Sequence, residues 1–161
     1  MIESIRAYKK KLRSISPTFL AMEWFKENKD KLVYAQLRQW YDWGEDNKGQ
    51  KIGEYTDFTK KLKREKGVRY DHVTLRDTGD FYSSIFVEFG VGEFKMNSSD
   101  PKFRSGKPVK TDWSGGYYQS RSIVDQYSED VLGLNESSIS LLRDELKYYL
   151  DNKIRSVINA V

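Results

Sequence analysis

Cysteine is missing from the 161-residue chain, histidine occurs once and proline three times. Without cysteine there is no disulfide, no thiol nucleophile and no thiolate metal site, so a reducing compartment is the expected setting. With His72 as the one histidine and no cysteine, a zinc site lacks ligands. With no nucleophile elbow in the sequence, no Ser-His-Asp arrangement can be argued around it either, and a structural or surface role is expected for it. No apolar run approaches the roughly 18 residues of a membrane span. Residues 1–13 are basic but carry neither an apolar core nor a small-residue cleavage site, so they do not read as a secretory signal. A soluble protein, cytoplasmic where it is made, is the expectation.

Hydrophobic residues make up 38% of the chain and aromatic ones 14%, so Trp, Tyr, Phe and Leu must fill the core. The length suits a single domain over 1–161. The net charge of +4 is unevenly spread. Residues 1–70 hold 17 Lys and Arg against 10 Asp and Glu; residues 71–161 hold 11 against 14. A basic half facing an acidic half fits either nucleic-acid contact or a complementary contact between subunits.

Hydrophobic periodicity predicts helices at both ends. Ile2, Ile5, Leu12 and Ile15 form a loose stripe ending before Pro17. Met22, Phe25, Leu32, Gln36, Leu37, Trp40 and Tyr41 predict a second helix from about Thr18 to Trp43, with Lys29 as the break in its stripe and Gly44 as its end. The polar turn from Gly44 to Gln50 lacks the ligand spacing of a calcium loop. Ile52 to Tyr55 reads as extended. A short basic helix follows, capped by Thr56 or Asp57 and stopped at Gly67. Its Lys60, Lys61, Lys63, Arg64 and Lys66 are candidate nucleic-acid contacts, although the local sequence offers no aromatic stacking ladder beside them. Ile139, Leu142, Leu146, Tyr149, Leu150, Ile154, Val157 and Ile158 define a final helix from about 135 to 159, capped by Asn135 or Ser137 and expected to lie across a sheet face.

The middle of the chain turns on Val73-Thr74-Leu75-Arg76-Asp77-Thr78-Gly79-Asp80-Phe81. Val73–Leu75 favour a strand, and Asp77, Thr78 and Gly79 interrupt it as a structural turn, with Asp77 capping locally and Gly79 at positive φ. Residues 85–96 alternate around Gly90-Val91-Gly92 as a β-hairpin. The 97–118 segment lacks periodicity and ends in Trp113, Tyr117 and Tyr118. It is expected to be an arm or loop whose aromatic rings meet a neighbouring subunit. The fold class expected is therefore α+β, with an antiparallel sheet containing 73–75 and 85–96 packed against long N-terminal and C-terminal helices.

Asp77-Thr78-Gly79 also matches the core motif of retroviral-type aspartic proteases, in which two chains each contribute one Asp to a dyad sharing a proton. That family has apolar residues before the motif and a small one after it, where this chain has Arg76 and Asp80. The motif is short, and the long helices at both ends fit that fold badly. Gly90-Val91-Gly92-Glu93 lacks the Gly-Lys that follows in a phosphate-binding loop. No cofactor and no metal are expected.

Four segments in order carry a broader likeness. They are Gln36-Leu37 with Gly44 and Glu45-Asp46-Asn47-Lys48-Gly49; Tyr55-Thr56-Asp57-Phe58-Thr59 with its lysine-rich continuation to Lys66-Gly67; Leu75-Arg76-Asp77-Thr78-Gly79-Asp80-Phe81-Tyr82-Ser83-Ser84-Ile85; and Val131-Leu132-Gly133-Leu134-Asn135-Glu136. Over roughly residues 20–160 the chain resembles the virion-morphogenesis and tail-completion proteins of tailed bacteriophages. It departs from many of them at Asp125–Asp130, where they carry an Arg-Pro-rich approach to the last helix. The resemblance implies a non-enzymatic virion subunit in a homo-oligomeric head–tail connector ring, assembled in the host cytoplasm. Its neighbours would be portal or adaptor and tail proteins, with DNA passing through the lumen. Two alternatives are a basic DNA-contacting module and the homodimeric protease.

Overall fold

The computed structural model describes residues 10, 16–104, 108–110, 117–119 and 122–159, with the backbone only for the two short segments 108–110 and 117–119. Most of the expected first helix falls outside the described residues. Helix α1 spans Pro17–Glu27, with Pro17 in its first turn, where its missing N–H costs nothing. The Ser16 hydroxyl accepts from the Phe19 amide at 3.2 Å.

The single helix expected over 18–43 is broken at Asn28. Both the amide and the side-chain nitrogen of Asn28 donate to the Trp24 carbonyl at 2.9 Å. Asparagine competes with the helix ladder in this way, and the chain restarts as α2, Lys29–Arg38. A π-helical turn, Gln39–Trp43, follows and ends at Gly44 in the left-handed region, φ +62°. A Cβ on Gly44 would collide with the His72 ring, so both conformation and space require glycine there.

Helix α3, Asp57–Glu65, is capped by Thr56, whose hydroxyl accepts from the Thr59 amide at 3.3 Å, and Gly67 follows it at φ +65°. Residues 52–56 have no regular structure. Helix α4, Asp80–Ser83, leads into strand β1, Ile85–Phe89, which pairs antiparallel with β2, Phe94–Ser98. Val87 faces Met96 and Phe89 faces Phe94 across the hairpin. Alternation places Ile85 and Met96 in the core and Glu88 and Lys95 in solvent. A second hairpin pairs β3, Pro108–Lys110, with β4, Tyr117–Gln119. Helix α5, Ile123–Tyr127, a 3₁₀ turn at Glu129–Val131 and the long helix α6, Glu136–Asn159, complete the α+β fold.

The core centres on Trp24, Leu32, Trp40, Phe81, Ile85 and Phe103. Trp40, Phe81 and Phe103 form a three-ring stack with centroid spacings of 5.3 and 6.0 Å. Helix α6 lies along α1 and α2, and the first hairpin packs on α2. Phe94 of the hairpin joins Leu142 and Leu146 of α6 in lining one apolar recess. The last helix thus rests chiefly on helices and meets the sheet at one end.

Two further expectations fail. Residues 73–75 join no sheet, because Leu75 sits at φ +54°, which breaks extended structure. Val73 and Thr74 are buried all the same. The Tyr55 hydroxyl accepts from the Thr74 amide at 3.0 Å and the Tyr82 hydroxyl donates to the Thr74 carbonyl, so side chains replace the ladder. Nor is the 97–118 segment an arm throughout. Its first part folds back: Ser99 donates to the Ser84 carbonyl at 3.0 Å, and Phe103 is 2% exposed. Trp113 lies outside the described residues, and Tyr117 and Tyr118 lie on β4.

Candidate functional site

Two polar constellations stand out, one buried and one open. The buried one joins the end of α2 to the approach to α6. Gln36 and Gln39 are completely buried. Gln36 accepts from the Gly133 amide at 2.7 Å. Gln39 donates to the carbonyls of Gly133 and Glu45 at 3.0 and 3.2 Å. Its oxygen accepts from the Asn135 amide and the Ser138 hydroxyl at 2.9 and 2.8 Å. The Trp40 indole donates to the Val131 carbonyl at 2.8 Å, and Asn47 donates to the Leu132 carbonyl at 3.2 Å. Asn135 caps α6 through the Ser138 amide at 2.9 Å. Buried amide side chains are tolerated here because backbone groups satisfy them.

The Asp46 carboxylate accepts from the amides of Lys48 and Gln50 at 2.9 and 2.8 Å, so it closes its own turn. Lys48 pairs with Asp130 at 2.6 Å, and this hydrogen bond holds the Asp130 carboxyl below its ordinary range and the lysine above its own. His72 is wedged beneath Gly44, its two ring nitrogens 3.1 Å from the Asp71 carboxylate and 3.0 Å from the Tyr41 carbonyl. That position is structural, as its isolation in the sequence suggested. Burial opposes ionisation of Asp71, but its backbone hydrogen bond, Arg69 and His72 together pull its pKa down.

The open constellation is a cleft of about 340 Å³ between α3 and the 76–78 turn. Tyr41, Lys63, Lys66, Arg69, Arg76 and Asp77 line it. Lys63 donates to the Arg76 carbonyl at 3.0 Å and lies 4.8 Å from the Tyr55 ring. Arg69 donates to the Tyr41 carbonyl at 2.9 Å and pairs with Asp71 at 3.0 Å. The guanidinium groups of Arg69 and Arg76 lie 5.6 and 5.8 Å from the Tyr41 ring centre. Beside the cleft, Arg64 lies 4.9 Å from the Tyr70 ring.

Of the five basic residues expected as nucleic-acid contacts, the fold brings Lys63 and Lys66 into the cleft. Lys60 instead faces Glu54 at 3.7 Å, Lys61 is exposed and Arg64 stands over Tyr70. Sequence reasoning missed Tyr41 and Arg76 as partners of this helix because they come from other parts of the chain, and Arg69, just after the helix, because only the fold turns it back into the cleft. The alternation of cations and tyrosines becomes visible only after folding.

The 77–79 turn behaves as expected at Gly79, which has φ +98° and precedes α4. Asp77 is exposed and makes no hydrogen bond among the described residues. Thr78 does the local bonding expected of it, donating to the Asp80 carboxylate at 2.7 Å and accepting from its amide at 3.4 Å. The expected capping by Asp77 fails because it stands two residues before the N-cap position, which Gly79 occupies. Among the described residues no cluster of His, Asp or Glu could hold a metal, and no helix is long and apolar enough to cross a membrane. Comparison of the chain with protein-family models, curated proteins and solved structures finds no match.

Proposed function

We propose that the chain is a non-enzymatic structural subunit of a tailed-phage virion, part of a head–tail connector or tail-completion ring between portal and tail. One observation carries the reading. The segments on which the resemblance rests serve as framework: Gln36, Asn47 and the Val131–Asn135 stretch bond one another in the buried network. Gly44 closes the π turn beside them. Thr78 and Gly79 start a helix. Segments that serve as frame, with no reactive group among them, suit an assembly subunit better than a hydrolase. Asp77 lies among Lys63, Lys66, Arg69 and Arg76, cations that favour an ionised carboxylate over one that shares a proton.

The partners in this reading are further copies of the chain, in a ring, and the portal or adaptor and tail proteins on either side. Its location is the virion, after assembly in the host cytoplasm. The basic and acidic halves supply a head-to-tail contact that closes when the rotation permits. Mass measurement with negative-stain imaging tests this: closed rings of one size are expected. Monomers at every concentration, or peptide cleavage abolished by Asp77→Asn, would overturn it.

A further inference from the structure

We propose that the cleft between α3 and the 76–78 turn binds single-stranded nucleic acid. A phosphate would lie between Lys66 and Arg76, with unpaired bases on the exposed faces of Tyr41 and Tyr70. Three observations converge on it. First, Lys63, Lys66 and Arg76 have no carboxylate at ion-pair distance among the described residues, although Lys60 and Arg69 nearby do. The cleft therefore keeps positive charge for an incoming anion. Its one wall carboxylate without a cation at ion-pair distance, Asp77, is outnumbered.

Second, three of the cations, Lys63, Arg69 and Arg76, already have partners on the cleft wall before any ligand arrives. Lys63 is tied to the Arg76 carbonyl, and Arg76 and Arg69 both stand by the Tyr41 ring. Side chains ordered in advance lose less entropy on binding. Third, Tyr41 is 38% and Tyr70 37% exposed, so each offers ring surface next to a cation. Aromatic faces interleaved with basic groups are the chemistry that takes single strands, each base stacking on a ring while the backbone follows the charge.

Size decides between single strand and duplex. A volume of about 340 Å³ is at the small end of the roughly 300–1,000 Å³ typical of ligand pockets, so the cleft itself admits about one nucleotide, on Tyr41, and the adjoining base would lie outside it on Tyr70. A duplex, with its phosphates on a broad cylinder and its bases stacked inside, could touch only the rim.

Fluorescence anisotropy with a labelled oligothymidylate tests the proposal, alongside the same strand in duplex and a polyglutamate peptide, over a salt series. Single-strand binding should weaken with salt at a log–log slope of about −0.7 per phosphate contacted. Lys66→Glu with Arg76→Glu should lower affinity at least tenfold, and Tyr70→Ser should lower it for the strand. Lys26→Glu with Lys29→Glu, exposed on α1 and α2, should change it little. Lys66→Gln with Arg76→Gln gives a milder loss without adding charge, and circular dichroism checks that each variant is folded. No binding at low salt, equal loss in the Lys26 and Lys29 variant, tighter binding of duplex, or equal binding of polyglutamate would each overturn it. Ring assembly is scored separately on the same samples, so this outcome and the assembly reading stand or fall apart.

Discussion

At the scale of single residues, Gln39 carries more of the frame than any apolar side chain of similar size. Its amide meets four partners from three segments. Leucine would fill the space and leave buried backbone groups unpaired, at about 1–3 kcal/mol for each group that water cannot reach. Gln39→Leu should therefore cost about 3 kcal/mol or more in urea unfolding. Glycines show the same dependence on surroundings. Gly79 has φ +98° and open space around it, so Gly79→Ala should cost about 1 kcal/mol through strain alone. Gly44→Ala adds a collision with the His72 ring and should cost more, read from the same unfolding curves.

At the scale of elements, the segment after β2 belongs to the core. Phe103 is buried against Phe81, and the carbonyls of Lys102 and Phe103 accept from Ile123 and Val124 at 3.0 and 3.1 Å. Phe103→Ala should destabilise the fold by about 3–5 kcal/mol, which a detached arm would not show. The turn after Gly44 is fastened to the 3₁₀ turn by Lys48 and Asp130. Asp130 is depressed in the fold, so its contribution is present above the ordinary carboxylate pKa of about 4 and is lost as pH falls through the lower folded value. Lys48 is raised, so its contribution is present below about 10.4 and disappears as pH rises through the higher folded value. The pair is exposed, so the effect is small. Asp130→Asn should make thermal stability slightly less dependent on pH in the acid range, with no change near neutrality other than the lost pair.

At the scale of the whole molecule, the ring reading makes its own demand on the aromatic residues beyond Phe103. If Trp113 and Tyr118 anchor a neighbouring copy, Trp113→Ala with Tyr118→Ala should shift rings towards monomers, seen by mass photometry, while unfolding of the monomer is little changed. Asp77→Asn should leave both assembly and stability nearly unaltered, since the exposed Asp77 bonds nothing among the described residues.

Much of the architecture is written in local chemistry. The hairpin at 85–96, the basic helix between Thr56 and Gly67, the end at Gly44 and the final helix from Asn135 all follow from period, cap and turn residues that act over a few positions. Positive φ at Gly79 was legible for the same reason. Other features depended on contacts far apart in sequence. Asn28 breaks the N-terminal helix by bonding Trp24, a choice a stripe of apolar residues does not reveal. Val73–Leu75 have the composition of a strand, yet Tyr55 and Tyr82 satisfy Thr74 and Leu75 turns away. Gln36 sits in the apolar stripe because backbone groups of Val131 and Gly133, about a hundred residues on, complete its hydrogen bonds. The cleft is decided in the same way. Sequence alone marked α3 as basic and without an aromatic stacking ladder; folding brings Tyr41 and Arg76 to it and turns Arg69 into the same cleft. Hydrogen-bond partners and charge clusters are properties of places in space, and only the tertiary structure determines which residues share a place.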